Sequence, residues 1–211
     1  MKYLLPSITL LIFLHTNANY ADYDQLYDTG MEHLVAGTPY YVVPVRSDQG
    51  GGLFSYEANA TCYAVQQSID DLPSQAVIFN HHKSKDGDWL AASKDLNIRF
   101  EDLYCDSSSS SVLRVADYDE ATGQHFVTVG GVEGYPGCGT IVNWFRIEKI
   151  VGEYSYKLVY CPSVCDLVNV TCRGVGVFGR GALPRLVLSD DHRDPLLVRF
   201  QKAHPCRYNK F

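Results

Sequence analysis

The chain has 211 residues, with 18 Lys and Arg against 24 Asp and Glu, and a formal charge of −6. That acidic balance argues against nucleic acid and anionic membranes as partners. Tyr is abundant at 15 and Met scarce at 2, which suits strands more than helices, and no charge run divides the chain into domains.

The amino terminus reads as a targeting segment. Lys2 supplies a basic start, Leu4 to Leu14 is mostly apolar, and Thr16-Asn17-Ala18 offers small residues to a signal peptidase. The apolar run is too short to span a membrane. Residues 1–18 are therefore expected to be removed, with Ala21 as the alternative boundary. Residues 19–211 would form one secreted, extracellular domain, with the vacuole as the other destination. All seven cysteines lie beyond this segment, at Cys62, Cys105, Cys138, Cys161, Cys165, Cys172 and Cys206. In a secreted chain they read first as disulfides, and an odd number leaves at least one free or paired with another molecule. The spacing of Cys161, Cys165 and Cys172 is not that of a zinc site, so no metal and no cofactor are expected.

Asp28-Thr29-Gly30 matches the triplet of aspartic proteases, but that chemistry needs two facing carboxylates sharing a proton, and the triplet occurs once. It reads as a turn. Tyr40 to Val45 is a strand, and Pro44 marks it as an edge or irregular one. Asn59-Ala60-Thr61 and Asn169-Val170-Thr171 are glycosylation sequons. Between Ala76–Phe79 and Trp89-Leu90 lies a polar stretch from Asn80 to Asp88, expected to be an exposed loop. It contains His81 and His82, which on an extended chain point to opposite sides and so would not share a metal.

Leu96 to Phe100 alternates as a strand, and Leu196 to Phe200 repeats its pattern, a faint sign of a repeated β architecture. Asp106 to Ser111 is a polar loop. Val112–Tyr118 and Gln124–Val129 flank the turn Asp119 to Gly123 and form a hairpin. Phe145-Arg146-Ile147-Glu148 alternates apolar with polar, a Gly-centred turn follows at Val151-Gly152-Glu153, and Tyr156, Leu158 and Tyr160 then share one face. No helical run separates these strands. Gly174–Phe178, Arg185–Ser189 and Pro195 to Lys202 complete an all-β series. No carboxylate pair, His-containing triad or phosphate loop stands at a telling spacing, so an enzyme is not expected.

Trp144 to Lys149, Tyr156 to Pro162 and Gln124 to Gly131 resemble the Kunitz family of the soybean trypsin inhibitor type, in its miraculin-like branch. The resemblance runs from Asp28 to Lys202. It implies a β-trefoil of twelve strands in three pseudo-repeats, six closing a barrel and six capping it as hairpins. It implies disulfides Cys62–Cys105 and Cys161–Cys172. Cys165 has a close partner in that branch, but Asp166-Leu167-Val168 contains no cysteine, which leaves Cys138, Cys206 or no partner. It places the inhibitory loop at Asn80, His81, His82, Lys83, Ser84, Lys85 and Asp86, with Lys83 or Lys85 for the primary pocket of a trypsin-like serine protease. The family's inhibitors often carry a propping Asn where this chain has Ala36. The function implied is a secreted protease inhibitor serving defence; the alternative is a non-inhibitory binding, taste-modifying or storage protein. The chain would be a monomer or a disulfide-linked dimer. A relative's linking cysteine falls at Val151, so such a link would pass to Cys138 or Cys206.

Overall fold

The computed structural model describes residues 24–46, 50–67, 74–106, 110–151, 153–179, 183–189 and 195–203. The expected targeting segment and Cys206 lie outside them. In chain order the strands are β1 (Pro39–Pro44), β2 (Leu53–Ala58), β3 (Thr61–Gln66), β4 (Ala76–His81), β5 (Leu96–Phe100) and β6 (Leu113–Asp119). They continue as β7 (Gln124–Val129), β8 (Arg146–Lys149), β9 (Tyr156–Tyr160), β10 (Arg173–Phe178), β11 (Arg185–Ser189) and β12 (Leu197–Lys202). One helical element interrupts them among the described residues, the 3₁₀ turn Cys138–Asn143. The strand alternation gave no sign of it.

Six strands form a closed ring. β1 pairs with β12 and β4, β4 with β5, β8 with β9, and β9 with β12. The ring closes between β5 and β8 through the bridge Leu96–Phe145, where each N–H donates to the other's carbonyl at 2.9 Å. The remaining strands are three hairpins, β2–β3, β6–β7 and β10–β11. They meet one another across one end: Tyr63 opposite Thr128, Phe126 opposite Val187, and Val65 opposite Arg185. At that junction the Arg185 guanidinium lies over the Tyr63 ring at 4.2 Å and the Phe126 ring at 5.4 Å, a cation–π contact shared by all three caps. A six-stranded barrel with three capping hairpins is a β-trefoil.

The core follows from inward-facing alternation. Tyr40, Phe79, Ile147, Tyr156 and Phe200 are buried within the barrel. Phe200 meets Phe79 edge-on at 5.1 Å and stacks with Tyr156 at 5.2 Å. Two expectations are corrected. β1 is not an edge strand, since it is paired on both sides; Pro44 sits at its end, where only β12 is alongside and no second ladder needs an N–H. The repeat of Leu96–Phe100 in Leu196–Phe200 is also not the three-fold relation. The ring maps β1 onto β5 and β9, and β4 onto β8 and β12, so β5 and β12 occupy different places in their units. Their likeness records two similar demands for a buried aromatic.

Three disulfides join Cys62 to Cys105, Cys138 to Cys165 and Cys161 to Cys172. The first spans a separation of 43 residues and, in the chain-entropy account, stabilises the fold by about 4 kcal/mol. The open question over Cys138 and Cys165 is thus answered within one chain: the 3₁₀ turn brings Cys138 to Cys165, and Cys138 is not left for a second molecule.

Candidate inhibitory loop

The segment joining β4 to β5 carries the candidate site. Its limits differ from the sequence expectation. Asn80 and His81 belong to β4, because pairing with β5 extends through Asn80–Asn97 and His81–Leu96. The Asn80 side chain donates to Glu133, which also faces Arg99 at 3.5 Å. A polar residue is satisfied there by tertiary partners and the strand continues. The exposed part therefore begins at His82 and runs through Asp88 into Trp89, with only Ser84 half-buried.

Two tight turns shape it. The Ser84 N–H donates to the His81 carbonyl at 2.9 Å, closing a turn over His82 and Lys83. The Ser84 hydroxyl reinforces that turn, donating to the His81 carbonyl at 2.8 Å and accepting the His81 N–H at 3.0 Å. The Asp88 N–H donates to the Lys85 carbonyl at 3.0 Å, and the Lys85 N–H donates to the Asp88 carboxylate at 2.8 Å. Gly87 sits at the third position of this second turn with φ of 98°, a conformation that glycine adopts without strain. The first turn also reverses the expected orientation of the histidines. His81 and His82 stack with centroids 4.9 Å apart, because the chain bends at His82 instead of remaining extended.

The base of the loop is held by backbone pairing with the segment before β1. Val35 bridges Trp89. The Ala36 N–H donates to the Asp88 carbonyl at 2.8 Å, the Gly87 N–H to the Ala36 carbonyl at 3.0 Å, and the Leu90 N–H to the Leu34 carbonyl at 2.8 Å. Ala36 itself is buried. It offers no polar side chain to the loop, yet its backbone fixes the base on both sides. The Tyr40 hydroxyl accepts the Val35 N–H at 3.0 Å, and burial raises the pKa of that phenol, keeping it protonated. Gly37 has φ of 77°, and a Cβ there would lie 2.4 Å from an Asp86 carboxylate oxygen.

Lys83, Lys85 and Asp86 are exposed on this frame. Lys83 and Ser84 line a cleft of about 440 Å³ with His81, Asp88, Trp89 and Lys94. His81 is held below its ordinary pKa by burial first, and then by the nearby charge of His82. The Lys83 N–H points to His81 Nδ1 at 3.4 Å, an arrangement suited to a neutral ring. Among the described residues no group of three His, Cys, Asp or Glu side chains is placed to hold a metal ion. The sequons at Asn59 and Asn169 are exposed, Asn59 in the β2–β3 turn and Asn169 within the Cys161–Cys172 loop. Asp28-Thr29-Gly30 forms a turn in which the Asp28 carboxylate accepts the Gly30 and Glu32 N–H groups at 2.8 and 3.0 Å.

Comparison with known proteins agrees with this architecture. Miraculin of Synsepalum dulcificum is 40% identical over 183 residues, covering 83% of this chain and 82% of its own. Kunitz trypsin inhibitor 5 of Arabidopsis thaliana is 38% identical over 181 residues, covering 84% and 85%. Among solved structures, a Kunitz-type cysteine protease inhibitor from potato superposes with a TM-score of 0.71 at 27% identity, covering 86% of this chain and 98% of the other. Residues 26–202 match the legume Kunitz model, described as trypsin and protease inhibitor, and the chain belongs to that family.

Proposed function

We propose that this protein inhibits a trypsin-like serine protease by presenting His82 to Asp88 as a substrate-like loop, with Lys83 entering the primary pocket. The observation that carries this reading is the bracing of an exposed, lysine-bearing segment from both ends. Ser84 is tied to His81 on one side, and Asp88 and Gly87 to Ala36 on the other. A loop already ordered loses little entropy when a cleft closes on it. Lys83 is favoured over Lys85 by backbone availability. The N–H and carbonyl of Lys85 are both engaged with Asp88, whereas among the described residues no hydrogen bond reaches the Lys83 carbonyl. A scissile carbonyl must be open to the donors of an oxyanion hole. A lysine side chain then meets the acidic residue at the base of a trypsin-like pocket. Secretion of such an inhibitor, after loss of residues 1–18, would suit a role in defence, and three disulfides fit an oxidising compartment.

A second reading is a non-inhibitory binding protein. It is favoured by two observations: the loop is folded into two consecutive turns instead of one extended arc, and Ala36 contributes no side-chain prop. The relative miraculin is not named as an inhibitor. Titrating trypsin, subtilisin and papain with the purified protein separates the readings. The inhibitor reading expects trypsin to respond and Lys83→Ala to abolish the response while Lys85→Ala retains it. No response from any of the three proteases would leave the binding reading.

A further inference from the structure

Trp89 directly follows the loop, and its placement is unlike that of the other tryptophan. Trp144 is 0% exposed, whereas Trp89 is 64% exposed. The exposed ring is nevertheless held in place. Its face lies on His33, with centroids 3.9 Å apart and an interplanar angle of 19°, and His33 lies against Tyr27 at 4.8 Å. Its backbone is bridged to Val35. The indole is therefore fixed by the same segment that holds the base of the loop, and it lines the same cleft as Lys83 and Ser84.

We propose that Trp89 is a second anchor for the protease, packing its outer face on an apolar rim of the enzyme beside the primary pocket. The inference rests on the reading of His82 to Asp88 as the inhibitory loop. A substrate-like segment enters a protease cleft in one chain direction, so residues after Lys83 lie on the side that follows the cut bond. Trp89 is the large apolar residue on that side. Tryptophan is among the side chains most often found to dominate an interface, because it buries a wide surface for two rotatable bonds. Stacking on His33 removes even that cost before the partner arrives. A single exposed apolar ring needs no explanation on a protein surface. A ring stacked on His33, which Tyr27 holds in turn, at the foot of a candidate binding loop does, since its large exposed face adds little to the core.

The chain contains two tryptophans, so labelling with 5-fluorotryptophan yields two fluorine resonances, assigned with Trp89→Phe. On adding unlabelled trypsin, the Trp89 resonance should shift and lose its solvent isotope effect, while the Trp144 resonance stays in place. Trp89→Ala should weaken inhibition roughly thirtyfold, the scale of an interface hot spot, and His33→Ala should weaken it less, through lost positioning. If the unmodified protein inhibits trypsin but the Trp89 resonance does not move and Trp89→Ala inhibits within threefold of it, the anchor is refuted and the loop reading stands. If the unmodified protein inhibits no protease, the loop reading fails and the anchor falls with it.

Discussion

Asp95 and Ser163 are 68 residues apart in sequence, and the Ser163 hydroxyl donates to the Asp95 carboxylate at 2.6 Å. The same carboxylate accepts the Ser163 N–H at 3.0 Å and pairs with Arg146 Nε at 2.9 Å. Asp95 closes the connection that carries the candidate loop, Arg146 is on β8, and Ser163 stands between Cys161 and Cys172. One side chain thus ties three elements together around the barrel.

The Asp95 side chain is only 10% exposed, and that of Arg146 18%. Removing one partner of such a pair leaves the other charge in a poorly hydrated place. Asp95→Ala is expected to destabilise the protein by about 3 kcal/mol, at the low end for a broken buried pair because Arg146 keeps some solvent. Urea denaturation would read this as a lower midpoint with an unchanged slope. A loss below about 0.5 kcal/mol would place the pair with ordinary surface ion pairs.

Gly37 and Asp86 give a second prediction. An alanine at position 37 would have to hold φ of 77°, which costs an L residue about 1–2 kcal/mol. Its Cβ would also displace the Asp86 carboxylate. The carboxylate is the outer end of an exposed side chain and can swing away, but the Asp86 Cβ lies 3.1 Å from the added atom and is fixed to the loop backbone, so the clash should move the loop more than it destabilises the fold. Gly37→Ala is expected to lower stability by about 1–2 kcal/mol and to weaken trypsin inhibition in addition. Adding Asp86→Ala to Gly37→Ala should recover part of the inhibition and little of the stability, since the backbone strain remains.

The third prediction concerns Cys138 and Cys165. Their bridge spans a separation of 27 residues, and the chain-entropy account assigns it about 3–4 kcal/mol. Replacing both by serine should lower stability by about that amount. Peptide mapping under non-reducing conditions should recover the two segments as one cross-linked species, and the unmodified protein should carry no inter-chain link through Cys138.

This bridge also marks where sequence reading stopped. The strands from Arg146 to Tyr160 were legible because Ile147, Tyr156, Leu158 and Tyr160 are buried at every second position while Arg146, Glu148 and Lys157 between them are half-buried; only Val159 breaks the alternation. The partner of Cys138 was not legible. It depends on a six-residue 3₁₀ turn with Asn143 as its one buried residue, and no periodic pattern announces that. The start of the loop is hidden from the sequence for a related reason. Asn80 and His81 look like loop residues by polarity, but Glu133 reaches Asn80 from across the fold, and sequence order does not reveal such a partner. The loop's position between two apolar runs was plain; the backbone bonds from Ala36 that hold it were hidden behind a residue type that suggested no role.

The fourth prediction is a dependence on pH through His81. Burial, and then the charge on His82, hold its pKa below the ordinary value of about 6.5, while Asp95 opposes the shift and Lys94 and Lys83 add to it. The unfolded chain therefore takes up this proton at a higher pH than the folded protein does. The associated stability is present above about pH 6.5 and is lost as pH falls through the folded value. Protonation also gives Nδ1 a hydrogen, so the ring can no longer accept the Lys83 N–H. Unfolding by urea at steps from pH 8 to pH 5 should show stability falling on the acid side, and His81→Gln should lack this component. Amide exchange at Lys83, corrected for intrinsic rate, should become faster relative to Ser84 over the same range. Identical pH profiles for the unmodified protein and His81→Gln would show that the ring at the foot of the loop gains its proton as easily when folded as when unfolded.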